Sequence, residues 1–140
     1  MIDIHTDGSC IGNPGPGGWG LISDIFTMCG HEPHTTNNIM EMRAVIEALK
    51  RCFKESIFDI RIHTDSSYVK NGITQWINNW KRNGWKTASG GAVKNKELWI
   101  ELDTLSQRAN SLEWIWVKAH NGDVKNEAVD KLARTSALKL

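Results

Sequence analysis

Residues 4–9 read IHTDGS and residues 62–67 read IHTDSS. In each phrase a strand-like run enters a Thr-Asp pair and is halted by Gly or Ser, residue types that with Asp favour turns. So short a repeat could arise by chance, and its surroundings decide its meaning. IDIHTD sets Ile2, Ile4 and Thr6 on one side and Asp3, His5 and Asp7 on the other, and FDIRIHTD separates Phe58, Ile60, Ile62 and Thr64 from Asp59, Arg61, His63 and Asp65 in the same way. This period of two predicts two half-buried strands. Between them, NNIMEMRAVIEALKRCF has Ile39, Met42, Ile46, Leu49 and Phe53 at helical spacing, after Asn37 and Asn38, either of which can cap a helix start. Strand, helix and strand predict a right-handed crossover between parallel neighbours. In parallel register the two phrases bring Asp7 and Asp65 to one C-terminal sheet edge, where open α/β sheets bind their ligands.

Outward from this unit, residues 17–32 contain GGWGLIS and IFTMCG around Ser23 and Asp24, which predicts a hairpin antiparallel to the first strand. Short helical turns after residue 66 lead into a Trp-rich segment. A helix carrying Leu98, Leu102, Leu105 and Ala109 follows, then LEWIWV, a strand apolar on both sides, and a last helix from about Lys125. The expected class is α/β, a mixed five-stranded sheet flanked by helices. Gly15, Gly17 and Gly20 formally spell GxGxxG, but Pro16 lies inside the motif and WGLIS continues as strand, so a hairpin turn is the reading and not a dinucleotide site.

A length of 140 residues fits one domain, residues 1–140. Cys10, Cys29 and Cys52 are odd in number, lack CxxC spacing and follow no secretory signal, which argues against a disulfide framework or zinc knuckle. A reducing, cytoplasmic setting is expected, and no apolar run reaches the roughly 20 residues of a membrane span. The net charge of +1 is unevenly spread. Residues 66–96 hold Lys70, Lys81, Arg82, Lys86, Lys94 and Lys96 and neither Asp nor Glu, so the rest of the chain is net acidic.

Two further carboxylates have ordinary readings when taken singly. Glu41, expected in the first helical turn beside the small Ala44 and Ala48, could close a capping box with Asn38. Asp130 could pair with Arg134 four residues on along an exposed helix face.

Taken together, the residues resemble a known family, the type 1 ribonucleases H of the bacterial kind. The matching stretches are TDGSCIGNPGPGGWG, TTNNIMEMRAVIEAL, HTDSSYVKNGITQWINNW, GWKT with VKNKELW, and WVKAHNGDVKNEAVDKLA, in family order from residue 6 to residue 133. The resemblance implies a ribonuclease H-like fold and an endonuclease that cuts the RNA strand of RNA/DNA hybrids. It puts Asp7, Glu41, Asp65 and Asp130 at the family's metal-binding carboxylates and His120, in AHNGD, at a mobile histidine that helps with proton transfer or product release. Oxygen-only ligands suit hard cations such as Mg²⁺ or Mn²⁺. Two such ions about 4 Å apart serve an in-line phosphodiester displacement that leaves 5′-phosphate and 3′-hydroxyl ends.

The resemblance further implies that Cys10, Asn13, Asn37 and Ser67 line the hybrid's minor groove, where 2′-hydroxyls are displayed. It implies that Trp76, Trp80 and Trp85, interleaved with Lys81, Arg82 and Lys86, form a basic protrusion that grips the DNA strand, the tryptophans also making its small core. Thr36 and Asn95 resemble a phosphate pocket for that strand. Two departures bear on binding strength: His34 stands where an arginine is frequent and Ser67 where glutamine is frequent. The hairpin region before TTNN is shorter than in familiar members and no separate hybrid-binding domain is expected after the last helix, which bears on processivity. A monomer is expected. A catalytically silent hybrid-binding module would lack some of the carboxylates, and a resolvase or integrase would lack the basic Trp-rich segment together with TTNN.

Overall fold

The computed structural model describes residues 1–87, 89–118 and 124–139. In chain order the elements are β1 (Ile2–Cys10), β2 (Gly15–Ile22), β3 (Thr27–Thr35), α1 (Asn37–Lys54), β4 (Asp59–Thr64), α2 (Ser67–Asn71), α3 (Ile77–Arg82), α4 (Lys96–Arg108), β5 (Ser111–Trp116) and α5 (Val124–Ala137). They build one five-stranded sheet in the order β3-β2-β1-β4-β5. β1, β2 and β3 pair antiparallel, whereas β4 runs parallel to both β1 and β5. Ile4 lies opposite Ile62 and His5 opposite His63, so the two phrases run side by side in parallel, as their matching phases predict. Only the second is halted as expected: β4 ends at Thr64, whereas β1 continues through Gly8 and Ser9 to Cys10, because β2 keeps pairing with it there. The three glycines of the GxGxxG string all lie on β2, with a register irregularity between Gly15 and Gly17, and no helix opens there.

One face of the sheet carries the main core. Ile4, Ile60 and Ile62 pack with Val45, Ile46 and Leu49 of α1 and Trp99 and Leu102 of α4, all fully buried. Each such side chain contributes about 1.5–3 kcal/mol relative to leaving it in water. The other face is covered by α5 on its β1–β3 half. A Cβ added at Gly18 would meet the Ala133 carbonyl oxygen at 2.4 Å, so the last helix rests directly on bare strand backbone.

That packing corrects the half-buried reading of the first strand: Ile4, His5, Thr6 and Asp7 are all buried, because β1 is sandwiched between α1 and α5. β4 keeps the predicted alternation, with Ile60, Ile62 and Thr64 buried and Asp59 exposed. On its outer side Arg61 pairs with Glu113 at 2.9 Å and Asp3 at 3.2 Å, and His63 Nε2 lies 2.8 Å from Asp3 and stacks on His5. β5 is also corrected: although LEWIWV reads apolar on both sides, it forms a sheet edge, and Glu113 and Ile115 are exposed.

The start of α1 differs by a residue from expectation. Thr36, in extended conformation, is the cap, its Oγ1 accepting from Ile39 N at 3.2 Å, so neither Asn37 nor Asn38 caps. After β4, α2 and α3 join through a π-helical turn at Gly72–Trp76. Trp80 lies 5.7 Å from Trp76, 6.3 Å from Trp85 and 5.5 Å from Trp99, ring centre to ring centre, so the tryptophans do form a small core continuous with α4.

Candidate metal centre and substrate cleft

The site is built where the parallel pairing of β1 with β4 runs out, with Asp7 still inside β1 and Asp65 just past β4. Alternation turns Asp7 away from α1 and its neighbour Gly8 toward it. Gly8 has no room for a side chain: a Cβ there would fall 2.4 Å from Glu41 N and 2.5 Å from the Met40 carbonyl carbon. The helix therefore crosses the strand end closely enough for Glu41 to join a carboxylate from the opposite side of the sheet. The Gly8 N–H donates to both, at 2.9 Å to Asp7 Oδ1 and 3.0 Å to Glu41 Oε1. Glu41 lies in the second turn of α1, one turn later than expected, and its bond to Gly8 replaces the capping box with Asn38.

Asp65 immediately follows β4. The chain turns sharply there, with Ser66 N donating to Thr64 Oγ1 and Ser66 Oγ capping α2 through Val69 N. Ligand oxygens of Asp7, Glu41 and Asp65 lie within 4.8 Å of one another. Asp130 of α5 lines the same cleft of about 260 Å³ with Asp7, Glu41, Asp65, Asn37 and Ser67, but its Oδ2 is held by Arg134 Nε at 3.0 Å. Asp130 thus makes the ion pair its spacing predicts and lies on the cleft wall, outside the group of three carboxylates whose oxygens converge.

Burial makes this arrangement electrostatically costly. Asp7 and Glu41 are almost wholly buried, and removal from water is the main reason that both carboxyls hold protons more tightly than usual. Asp7 is pushed up to about 7, with the Asp65 charge adding to the effect, and Glu41 is raised well above its ordinary value by burial and by Asp7. Glu41 Oε2 is buried with no hydrogen-bond partner among the described residues. A buried, unpartnered carboxylate oxygen among two further carboxylates is a fit donor set for a hard divalent cation, and it contains no sulfur or imidazole that would favour zinc.

The predicted substrate residues are spread around this centre. Asn37 and Ser67 line the cleft. Asn13 lies beside Asn37, its Oδ1 accepting from Asn37 N at 2.7 Å. Cys10 is at the end of β1 with Sγ turned to the carbonyls of Gly15 and Thr35, at 3.5 and 3.4 Å, and is not among the cleft's lining residues. Thr36 caps α1, and Asn95 precedes α4, donating from Nδ2 to the Tyr68 hydroxyl. Trp76 and Trp80 belong to the aromatic cluster. Lys81 is tied to Asp103 at 3.2 Å, whereas Arg82 and Lys86 are exposed and make no ion pair among the described residues. His120 lies outside the described residues. Sequence reasoning missed Gly8, whose signal was the glycine directly after the first Asp, and Tyr68, which both lines the cleft and bonds to Asn95.

A sheet order of 3-2-1-4-5, with carboxylates on β1, just after β4 and on the helix between them, defines the α/β fold and acidic site that known proteins share with this chain. The RNase H family model matches residues 1–138. A relative from Ehrlichia canis named Ribonuclease H is 54% identical over 142 residues, covering 99% of this chain and 95% of its own. The crystal structure of LC9-RNase H1, described as a type 1 RNase H with the type 2 active-site motif, superposes with a TM-score of 0.84 at 35% identity, over 97% of this chain and 71% of that one. LC11-RNase H1, solved in complex with RNA/DNA hybrid, shares the fold with a TM-score of 0.75 at 22% identity, over 99% and 98% of the two chains. The chain belongs to the ribonuclease H family.

Proposed function

We propose that the protein is an endonuclease that hydrolyses the RNA strand of an RNA/DNA hybrid with Mg²⁺ or Mn²⁺, leaving 5′-phosphate and 3′-hydroxyl ends. The observation that carries this reading is the convergence of Asp7, Glu41 and Asp65 within 4.8 Å in a cleft that Asp130 also lines. Asp7, Glu41, Asp65 and Asp130 would hold two divalent cations, which supply charge neutralisation at the phosphate and a water acidified for attack. Around them the chain's own groups position the substrate. Asn37 and Ser67, small polar residues on the cleft wall, would meet 2′-hydroxyls of the cut strand, with Asn13 bracing Asn37 and Cys10 meeting the groove outside the cleft wall. Thr36 and Asn95 take a phosphate of the DNA strand, and Trp76, Trp80, Lys81, Arg82 and Lys86 form the surface along which that strand runs. His120 moves a proton as the P–O3′ bond breaks and the 3′-oxygen leaves as a hydroxyl.

The proposal includes action as a monomeric single domain in a reducing cytoplasm, the latter supported by three cysteines without CxxC spacing. None of the described helices is long and apolar enough to cross a membrane. A silent binding module is disfavoured by the full set of carboxylates. The test is a panel of end-labelled RNA/DNA hybrid, duplex DNA and duplex RNA, with Mg²⁺ and with chelator. Cleavage confined to the RNA of the hybrid, and to the metal-containing arm, is expected. Equal cutting of duplex DNA, or full activity in chelator, would refute it.

A further inference from the structure

Tyr68 connects the carboxylate cleft to the start of α4. Its ring lines the cleft beside Asn37 and Asn38 and packs against Trp76 and Trp99, at 5.8 and 5.3 Å between ring centres. Its hydroxyl oxygen accepts two N–H groups, Asn95 Nδ2 and Trp99 Nε1, each at 3.1 Å. Two donors use both lone pairs of a phenol oxygen, so the hydroxyl is locked between a fully buried indole and the Asn95 amide.

Asn95 itself departs from habit in two ways. Its φ of 59° is left-handed, uncommon for a residue other than glycine. It also occupies the cap position of α4 without making a side-chain capping bond to its helix, which is what asparagine there normally does. Its amide is turned to Tyr68 instead. We propose that the Tyr68 hydroxyl is a positioning residue that pre-orients the Asn95 amide, so that the second N–H of Nδ2 meets a phosphate oxygen of the uncut DNA strand. The proposal rests on the reading of Asn95 as a phosphate ligand. Its physical advantage is that a side chain already fixed loses little rotamer freedom on binding.

Tyr68→Phe tests this directly, since it keeps the ring and its packing and removes only the acceptor. Wild type, Tyr68→Phe, Asn95→Ala and the double variant are compared on hybrids in which single DNA-strand phosphates are replaced, one at a time, by uncharged methylphosphonate. In wild type one position is expected to raise KM about tenfold, the scale of one hydrogen bond to a charged group, and Asn95→Ala should abolish that sensitivity. Tyr68→Phe should lose most of the same position-specific effect, raise KM on unmodified hybrid more than it changes kcat, and add little to Asn95→Ala. If Tyr68→Phe lowers activity on all hybrids alike and keeps the sensitive position, the positioning role is overturned and the Asn95 reading stands. If wild type has no sensitive position, or Asn95→Ala keeps it, the phosphate reading falls and this proposal falls with it.

Discussion

At the scale of single residues, the site is defined by groups that the fold tolerates at a cost. Asp7 is buried within β1, against Glu41 and near Asp65, and its carboxyl is pushed up to about 7, mainly by burial. An unfolded Asp titrates near 3.9, so the folded state binds the proton more tightly than the unfolded one. This group therefore favours folding fully below pH about 4, and the advantage is lost as pH rises to about 7. Above that the metal-free protein carries the whole penalty of an ionised, buried cluster. Asp7→Asn removes it: in chelator at pH 8 the variant should resist urea better than wild type by about 1–3 kcal/mol, a gap that narrows at pH 5. Mg²⁺ should narrow or reverse the ranking at pH 8, because it binds the folded wild type and stabilises it by mass action. Lower stability of Asp7→Asn in chelator at pH 8 would show that the carboxylates do not strain the fold.

At the scale of elements, the close crossing of α1 over β1 is what makes two faces of a sheet contribute to one site. Gly8 permits it, and a methyl group there would press on the Glu41 and Met40 backbone, which cannot swing aside as a side-chain tip can. Gly8→Ala should destabilise the protein by about 1–3 kcal/mol, as overpacking does, and should weaken divalent-cation binding. Unchanged unfolding and unchanged cation affinity would mean that helix and strand have room to spare at Gly8. The parallel strands, the crossover helix and the delivery of Asp7 and Asp65 to one edge were legible because period-two patterning and matching phase are local signals. The exposure of β5 was not, since an edge strand and a central one can share the pattern LEWIWV, and only the sheet order separates them. Burial of β1 on both faces escaped for a related reason: α5 is distant in sequence and rests on Gly18 and Gly20, which carry no hydrophobic signal. The capping box failed because the Asn38-x-x-Glu41 spacing is equally compatible with Glu41 reaching Gly8, and only tertiary packing decides.

At the scale of the whole molecule, charge is divided between an acidic cleft and a basic protrusion. Six basic residues and no acidic ones fall in residues 66–96, but they are not equivalent. Lys81 is engaged by Asp103, while Arg82 and Lys86 are exposed without an ion pair among the described residues. Replacing Arg82 and Lys86 with Ala should flatten the salt dependence of hybrid binding by about 0.7 to 0.9 log units of slope for each phosphate no longer neutralised, and Lys81→Ala should flatten it less. Equal effects of all three would mean that Asp103 releases Lys81 when the duplex binds, and an unchanged slope would mean that the protrusion does not touch the nucleic-acid backbone. The central claim is that two adjacent parallel strands and the helix between them converge their carboxylates on a divalent cation, and calorimetric titration of Mn²⁺ into the protein without nucleic acid tests it most directly. Because burial makes the Asp7 and Glu41 carboxyls hold protons more tightly than usual, cation binding to wild type at pH 7 should release protons, seen as a heat that varies with the ionisation enthalpy of the buffer. Glu41→Gln should bind at least about tenfold more weakly, the loss of one charged ligand, and release fewer protons. Wild-type affinity in Glu41→Gln, with the same proton release, would contradict the account.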